Sequence, residues 1–287
     1  MNFSIPTIKS GDTWKAKTWN GLTSFYGNYI WTDGTNIYYS SSNEQYVLNG
    51  DTWEAKTWNG LTSFFGDYIW TDGTNIYYSN DENQYVLNGD TWEPKTWNGL
   101  TSFFTSYIWT DGLNIYYSSY GSLSGEVFMY VLNGDTWEPK TWDAAPFLDG
   151  RDVWSDGINI DYSSRTVHYA LNGDTWKPKD WGDKSLLIVG SGIWSDGTDI
   201  YLSFDLPGSQ LVLNENGFEE KTWKGLTPTE ADRIWTDGTN IYYSKGANQY
   251  VLTTADPVPV STLDPQSLMV GWLVGKKIKI LRLNKQK

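Results

Sequence analysis

The chain contains no cysteine, one histidine and three methionines among its 287 residues. Without cysteine it has neither a disulfide framework nor a thiolate metal site, and thiol catalysis is excluded. No apolar run approaches the roughly 18–20 residues that span a bilayer. The start, MNFSIPTIKS, has no basic stretch followed by an apolar one. We therefore expect no transmembrane helix and no signal peptide for classical export.

Positive charge is scarce over most of the chain. The formal net charge is −13, from 34 acidic and 21 basic side chains. Residues 253–287 hold six Lys or Arg against two Asp, so they carry +4 and residues 1–252 carry −17. Because a surface this acidic repels phosphate backbones, we do not expect nucleic acid as a partner of residues 1–252.

Aromatic side chains are abundant, and they recur in a fixed order. One tryptophan follows Ile or Val in each copy of a repeat: Trp31, Trp70, Trp109, Trp154, Trp194 and Trp235. A second one ends each copy of a TWxxKTW-like segment: Trp19, Trp58, Trp97, Trp142, Trp181 and Trp223. Both sets count six copies of about 40 residues, a period shared by propeller blades and by several helical repeats.

The local pattern of each copy favours strands over helices. Short runs such as YIWT, NIYYS, QYVLN and TWEAKTW are rich in β-branched and aromatic residues, and DGT, SNDEN and NGD separate them. We label these strand positions A, B, C and D. Pro94, Pro139 and Pro178 interrupt position D, which predicts that D is the outer edge and A the inner strand. Lys95 and Lys140 also suit an edge that must not pair with other molecules.

These features resemble the kelch-type β-propeller repeat. The resemblance rests on IWTDGTNIYYS, QYVLN and TWEPKTW and covers about 240 residues, although Tyr-Ser or similar residues replace the double glycine that usually ends the second kelch strand. With six copies, it implies an all-β, six-bladed propeller of four-stranded blades over residues 1–252. Because the repeat stops after Leu252, we expect a linker at 253–266 and a terminal segment at 267–287. Since the chain begins with a D strand and its last copy lacks one, we expect the N-terminal strand to complete the last blade.

Differences between copies collect on one side of the predicted disc. The A–B and C–D turns barely vary, whereas the D–A loops differ and the B–C loop of the third copy expands to SSYGSLSGEVFM. Because scaffolds usually bind through such loops, this side is the candidate recognition face. Its candidate residues are Phe65, Phe104, Tyr120, Phe128, Arg151, Arg165, His168, Asp205 and Arg233. The phenylalanines could instead fill gaps between blades, and the variation could be drift after duplication.

No motif for catalysis, a metal or a cofactor emerges, and the sequence predicts that the protein is not an enzyme. The six Asp-Gly steps stand alone in tight turns, without the additional oxygen ligands of a calcium loop. His168 has no nucleophile at a triad-like spacing and is expected to be a solvated loop residue. The tryptophans recur at strand positions, which favours packing between blades over sugar binding, although a carbohydrate-binding lectin stays the alternative function.

The C-terminal segment differs from everything before it. TTADPVPVSTLDPQ reads as an extended linker, and SLMVGWLVGKKIKILRL follows it. Gly271 and Gly275 form a GxxxG step that permits close helix packing, with Trp272 between them and Lys276 and Lys277 after them. We predict an assembly or anchoring segment, with a strand packed on the propeller as the alternative.

The repeats together with this terminus resemble small structural proteins of phages and prophages of Gram-positive gut bacteria. That resemblance implies a virion-associated decoration or host-recognition module. Its tail would bind a virion component, and its variable loop face would bind a host surface protein or a glycan. The expected location is therefore a virion or the cytoplasm.

Overall fold

The structure is a computed structural model, and strands are the regular elements of the part that it describes. The described residues are 13–22, 30–41, 44–61, 64, 69–80, 83–100, 107–111, 113–120, 127–142, 153–155, 160–163, 168–180, 192–195, 199–203, 210–214, 217–221, 223, 233–237, 239–245 and 248–253. Over these ranges no helix has the length and apolarity needed to cross a membrane.

The described strands form six four-stranded sheets, which we number as blades in chain order. The first strand, β1 (Thr13–Ala16), joins blade 6. Blade 1 contains β2 (Ile30–Thr32), β3 (Ile37–Ser41), β4 (Glu44–Asn49) and β5 (Thr52–Ala55). Blade 2 contains β6 (Ile69–Thr71), β7 (Ile76–Asn80), β8 (Asn83–Asn88) and β9 (Thr91–Pro94). Blade 3 contains β10 (Tyr107–Thr110), β11 (Ile115–Tyr120), β12 (Val127–Asn133) and β13 (Thr136–Pro139).

The remaining blades follow the same plan. Blade 4 contains β14 (Val153–Ser155), β15 (Ile160–Ser163), β16 (His168–Asn172) and β17 (Thr175–Pro178). Blade 5 contains β18 (Gly192–Ser195), β19 (Ile200–Ser203), β20 (Gln210–Asn214) and β21 (Gly217–Lys221). Blade 6 contains β22 (Arg233–Thr236), β23 (Ile241–Lys245), β24 (Asn248–Thr253) and β1.

Each blade is an antiparallel meander, and the N-terminal strand completes the last one. β1 pairs with β24 in the register Thr13↔Thr253 to Ala16↔Tyr250, although some 240 residues separate the two strands. This pairing confirms the prediction from the missing D strand of the last copy. The all-β propeller with four-stranded blades is thus the fold of the protein.

Both faces of blade 1 carry aromatic residues because each face packs against a neighbouring blade. Along β3, Tyr38 packs with Trp58 and Trp92 toward blade 2, whereas Tyr39 packs with Trp53 and Trp235 toward blade 6. Successive strand residues point to opposite faces, so the Tyr-Tyr pair supplies one ring to each junction. Comparable aromatic clusters join blades 2 and 3, 3 and 4, and 5 and 6.

A short clasp links the outer strand of one blade to the preceding copy. The N–H of Asn20 donates to the carbonyl of Asp51 at 3.0 Å, and the N–H of Trp53 donates to the carbonyl of Asn20 at 2.9 Å. Gly21 follows at φ +83°, and a Cβ on it would collide with the carbonyl of Trp53. Asn59-Gly60 and Asn98-Gly99 repeat this clasp on the next two blades.

The predicted D strands are shorter than the TWxxKTW pattern suggested. β5 ends at Ala55, and the chain then crosses toward blade 2, where the N–H of Asn59 donates to the carbonyl of Asp90. The edge position of D is confirmed, because β9 and β13 end the strand order of their sheets. Pro94 suits an edge strand. The backbone N–H of the next residue, Lys95, donates to the carbonyl of Gln84, so the nitrogen of Pro94, which has no hydrogen to donate, faces away from the sheet.

Candidate functional site

The face that carries the A–B turns is built from self-contained Asp turns. Oδ1 of Asp33 accepts hydrogen bonds from the N–H groups of Thr35 and Asn36, at 2.8 and 2.6 Å. Oδ2 accepts from Nδ2 of Asn36 at 3.1 Å and from the hydroxyl of Tyr38 at 2.8 Å. The prediction that turn chemistry explains the Asp-Gly steps is therefore confirmed at this turn, and Asp72 repeats the pattern.

These hydrogen bonds set the protonation of both partners. Burial alone would raise the pKa of Asp33, but hydrogen bonds from Asn36, Tyr38 and Thr35 outweigh it and lower the pKa below its ordinary value. Burial, and then the hydrogen bond to Asp33 and its charge, raise the pKa of Tyr38 well above its ordinary value. The turn is thus held as a carboxylate and a neutral phenol near neutral pH.

On the same face, lysines connect neighbouring blades. Nζ of Lys56 binds Oδ1 of Asp90 in the next blade at 2.5 Å and lies 4.5 Å from the ring centroid of Trp58. Lys17, Lys95 and Lys140 make the corresponding ion pairs. The lysines predicted to guard the sheet edge therefore bridge blades and cover tryptophan rings. The charges of these four lysines are paired with aspartates of the neighbouring blades.

The opposite face carries the predicted recognition residues, and the structure describes part of it. Tyr120 ends β11, Phe128 lies in β12, His168 begins β16 and Arg233 begins β22. Phe65, Phe104, Arg151, Arg165 and Asp205 lie outside the described residues, as do the tail residues Gly271, Trp272, Gly275, Lys276 and Lys277. Phe64, the neighbour of Phe65, is buried and packs on Tyr78 and Trp92, as the gap-filling alternative predicts for this residue.

The B–C hairpin of blade 3 extends beyond its equivalents. Its pairing continues to Tyr120↔Val127, one pair further than Ser41↔Glu44 in blade 1 and Asn80↔Asn83 in blade 2. Phe128 occupies the position of Glu44 and is 45% exposed. Leu113, the other large apolar side chain exposed in the described part of the chain, lies in the turn at the opposite end of the same blade. An exposed aromatic side chain on a lengthened hairpin offers a surface that another protein can contact.

Blade 4 contains a polar cluster that the sequence did not predict. Asp161 replaces the tyrosine found at Tyr38, Tyr77 and Tyr116, and it is 1% exposed. Its Oδ1 accepts a hydrogen bond from Nζ of Lys179 at 2.7 Å. The change from Tyr to Asp was visible in the aligned copies, but only the structure shows that this carboxylate is buried and paired.

His168 corrects a further prediction. The expectation of a solvated loop histidine is wrong, because His168 is a strand residue of β16 and only 5% exposed. It occupies the position that Gln45 holds in blade 1, where Nε2 of the glutamine donates to the carbonyl of Phe64. A histidine this buried does not offer its ring to a partner at the surface.

Comparison with known proteins identifies the fold and no family. No protein-family model matches the chain, and no curated protein matches it. Among solved structures, YjhT matches with a TM-score of 0.53 and 10% identity, over 83% of this chain and 97% of that one. The extracellular domain of BT4673 from B. thetaiotaomicron matches with a TM-score of 0.52 and 13% identity, over 84% of this chain and 39% of that one. The chain therefore spans about two-fifths of the BT4673 domain, and these likenesses show the propeller fold alone.

The prediction that the protein is not an enzyme is contradicted by the same comparison. Virginiamycin B lyase from Staphylococcus aureus matches over 84% of this chain and 99% of that one, with 11% identity and a TM-score of 0.48. Because a fold by itself does not determine function, the propeller fold leaves catalysis open. The missing sequence motifs do not exclude an enzymatic activity here.

Proposed function

We propose that the protein is a closed six-bladed propeller with kelch-like repeats that serves as a protein-binding scaffold. Its contact surface is the B–C and D–A loop face, centred on the β11–β12 hairpin of blade 3. The observation that carries this proposal is the exposed Phe128 on a hairpin one residue pair longer than those of blades 1 and 2.

Burial at the remaining junction supports closure of the ring. Aromatic clusters join the blades in the order 5, 6, 1, 2, 3, 4, and the junction of blades 4 and 5 would close the circle. Asp161 in blade 4 and Leu211 in blade 5 lie on the faces turned away from those clusters, yet they are 1% and 2% exposed. Burial of both residues is expected if the two blades pack on each other.

The chemistry of the exposed groups favours a protein over a glycan at this face. Fourteen of the repeated tryptophans, which would stack on sugar rings if they were exposed, are buried. A protruding phenylalanine beside a hairpin edge instead suits an apolar pocket or side chain of a protein partner. A virion component bound by residues 267–287, and a host surface protein bound by the loop face, stay predictions of the sequence resemblance.

Peptide display against the intact protein tests the proposal. A random peptide library is selected on the wild type, and the enriched peptides are titrated against Phe128→Glu and Leu113→Thr. Both substitutions install residues of sister copies, Glu44 and Thr35, so each variant is expected to fold. We expect Phe128→Glu to lower the affinity for the selected peptides by about tenfold, which corresponds to roughly 1.4 kcal/mol of binding free energy. Leu113→Thr should leave this affinity unchanged.

The opposite pattern would overturn the placement of the site. If the selected peptides lose affinity only for Leu113→Thr, the contact surface lies on the face that carries the Asp turns. If both variants bind as well as the wild type, blade 3 is not the contact surface. A glycan array on the wild type tests the lectin alternative directly, and binding there that Phe128→Glu abolishes would replace the protein partner with a carbohydrate.

A further inference from the structure

The outer edges of the six blades are not equally protected against pairing with a further strand. On blades 1, 2 and 3 the backbone clasp covers part of the outer strand. Gly21, Gly60 and Gly99 make this clasp possible, because they adopt φ of +80° to +83° and a Cβ on them would lie 2.0–2.1 Å from a carbonyl oxygen of the outer strand. The clasp therefore requires glycine at this position.

The copies that would clasp blades 4 and 5 lack this glycine. The aligned residues are Ala144 for blade 4 and Asp183 for blade 5, whereas Gly225 retains the glycine for blade 6. All three lie outside the described residues. A residue with a Cβ cannot take the place of Gly21 without colliding with the outer strand. The same clasp is therefore not available to the outer edges of blades 4 and 5.

A second protection, an edge proline, is present on blade 4 and absent from blade 5. In blades 2 to 4 the residue before the edge lysine is proline: Pro94, Pro139 and Pro178. In blade 5 this residue is Glu220. Lys221 pairs with Gln210 as Lys56 does with Gln45, and the N–H of Lys56 donates to the carbonyl of Gln45. The N–H of Glu220, one residue earlier, therefore faces away from the sheet and is placed to donate to another strand.

The outer strand of blade 5 is also the longest of the six. β21 has five residues, whereas each of the other outer strands has four. The N–H of Phe218 faces away from the sheet as well, since the equivalent N–H of Trp53 donates outward to Asn20. Blade 5 thus presents outward N–H groups at Phe218 and Glu220 with neither an edge proline nor a clasp glycine. Such an edge is a template for an added strand.

Charge separates the edges of blades 4 and 5. Glu219 and Glu220 of β21 are both exposed, and as successive strand residues they point to opposite sides of the strand. At the equivalent positions blade 4 has Lys177 and Pro178. The edge of blade 5 therefore attracts a basic strand, with one carboxylate on each side, whereas the edge of blade 4 offers a cation and a residue without an N–H.

The chain contains a segment that matches this edge. Residues 278–283, IKILRL, are rich in isoleucine and leucine and contain neither proline nor glycine. In a strand, Lys279 and Arg282 lie on opposite sides because an odd number of residues separates them. Each side of the segment thus offers one cation to a carboxylate of β21, and opposite charges on neighbouring strands stabilise the pairing.

We propose that residues 278–283 add to the outer edge of blade 5 as a fifth strand within the same molecule. The described chain ends at Thr253 in β24 of blade 6, and blade 6 packs on blade 5 through Trp14 and Trp223. The 24 residues between Thr253 and Ile278 reach up to about 80 Å, whereas packed sheets lie about 10 Å apart. The added strand does not rest on the proposed protein-binding function, because it lies on the perimeter and not on the loop face.

Hydrogen–deuterium exchange of the full chain, followed by mass spectrometry, tests this strand. Glu220→Pro installs the residue of blades 2 to 4, so the variant is expected to fold while its edge loses the outward N–H. We expect the amides of residues 278–283 to exchange at least about tenfold more slowly in the wild type than in this variant. Ala55→Pro is the matched control, since it places the same proline on blade 1, and it should leave the protection of residues 278–283 unchanged.

Charge reversal tests the pairing without changing the backbone of β21. Lys279→Glu/Arg282→Glu should remove the protection, and adding Glu219→Lys/Glu220→Lys to that variant should restore it. Residues 278–283 that exchange like an unfolded chain in the wild type would overturn the proposal, as would protection that survives Glu220→Pro. Protection should also persist when the protein is diluted by about two orders of magnitude. Protection that is lost on dilution would assign the edge to a second copy and overturn the added strand within one molecule.

Discussion

At the scale of single residues, the Asp–Tyr contact of the A–B turn links stability to pH. Hydrogen bonds lower the pKa of Asp33 in the folded protein, so its contribution is present above its unfolded pKa of about 3.9 and is lost as the pH falls through the folded value. The pKa of Tyr38 is raised, so its contribution is complete below about pH 10, the pKa of an unfolded tyrosine, and is lost as the pH rises further. The turn therefore stabilises the fold over a window bounded on both sides.

Replacing Tyr38 with Phe tests the alkaline side of that window. Near neutral pH we expect the variant to lose about 1 kcal/mol of stability, because a partly buried hydrogen bond to a carboxylate is removed while Asp33 keeps its bonds from Thr35 and Asn36. The measurement is chemical denaturation of both proteins between pH 6 and pH 11. The stability difference should shrink above about pH 10, and a difference that stays constant across the range would show that the hydroxyl does not carry it.

At the scale of elements, the sequence predicted strand type and order well and strand ends poorly. Runs rich in β-branched and aromatic residues identified the strands at positions A to C, and proline identified β9 as an edge. The TWxxKTW pattern extended position D too far, because Lys56 and Trp58 serve the next junction and not the strand. Such a contact depends on how neighbouring blades sit together, which a pattern within one copy does not contain.

The clasp between blades gives a prediction at this scale. Gly60 adopts φ +81°, and a Cβ there would collide with the carbonyl of Trp92. Gly89 adopts φ +59° with open space around it. Gly60→Ala should therefore cost about 3 kcal/mol or more, from strain plus a broken contact to the next blade, whereas Gly89→Ala should cost only about 1–2 kcal/mol. Urea denaturation of the two variants measures both, and equal losses would mean that the clasp contributes nothing beyond backbone strain.

At the scale of the whole molecule, internal comparison of the copies predicted the strand pairing that completes blade 6 and singled out Phe128, but it missed the buried Asp161. The missing D strand at one end and the surplus one at the other predicted the pairing of β1 with β24. Phe128 was found because its loop is longer. Asp161 was missed, because a single Tyr-to-Asp change in a strand resembles ordinary drift until burial and the contact with Lys179 are known.

The closure itself can be tested by moving the strand that makes it. Removal of residues 1–20 takes away Trp14 and Trp19, which are buried in the junctions of blade 6 with blades 5 and 1. Each buried tryptophan contributes roughly 3–5 kcal/mol, a large part of a typical folding free energy, so the truncated chain should unfold or melt far below the intact protein.

The matched control is a permutant in which residues 11–22 follow Thr253 through a short glycine-serine linker and the chain begins at residue 23. This permutant has the same strands in the same sheets, and we expect its melting temperature to return to within a few degrees of the wild type. If the truncated chain melts with the intact protein in circular dichroism, β1 is not needed to close the ring. If the permutant fails while the intact chain folds, the order in which the strands are connected, and not the completed blade 6, would be what stabilises the propeller.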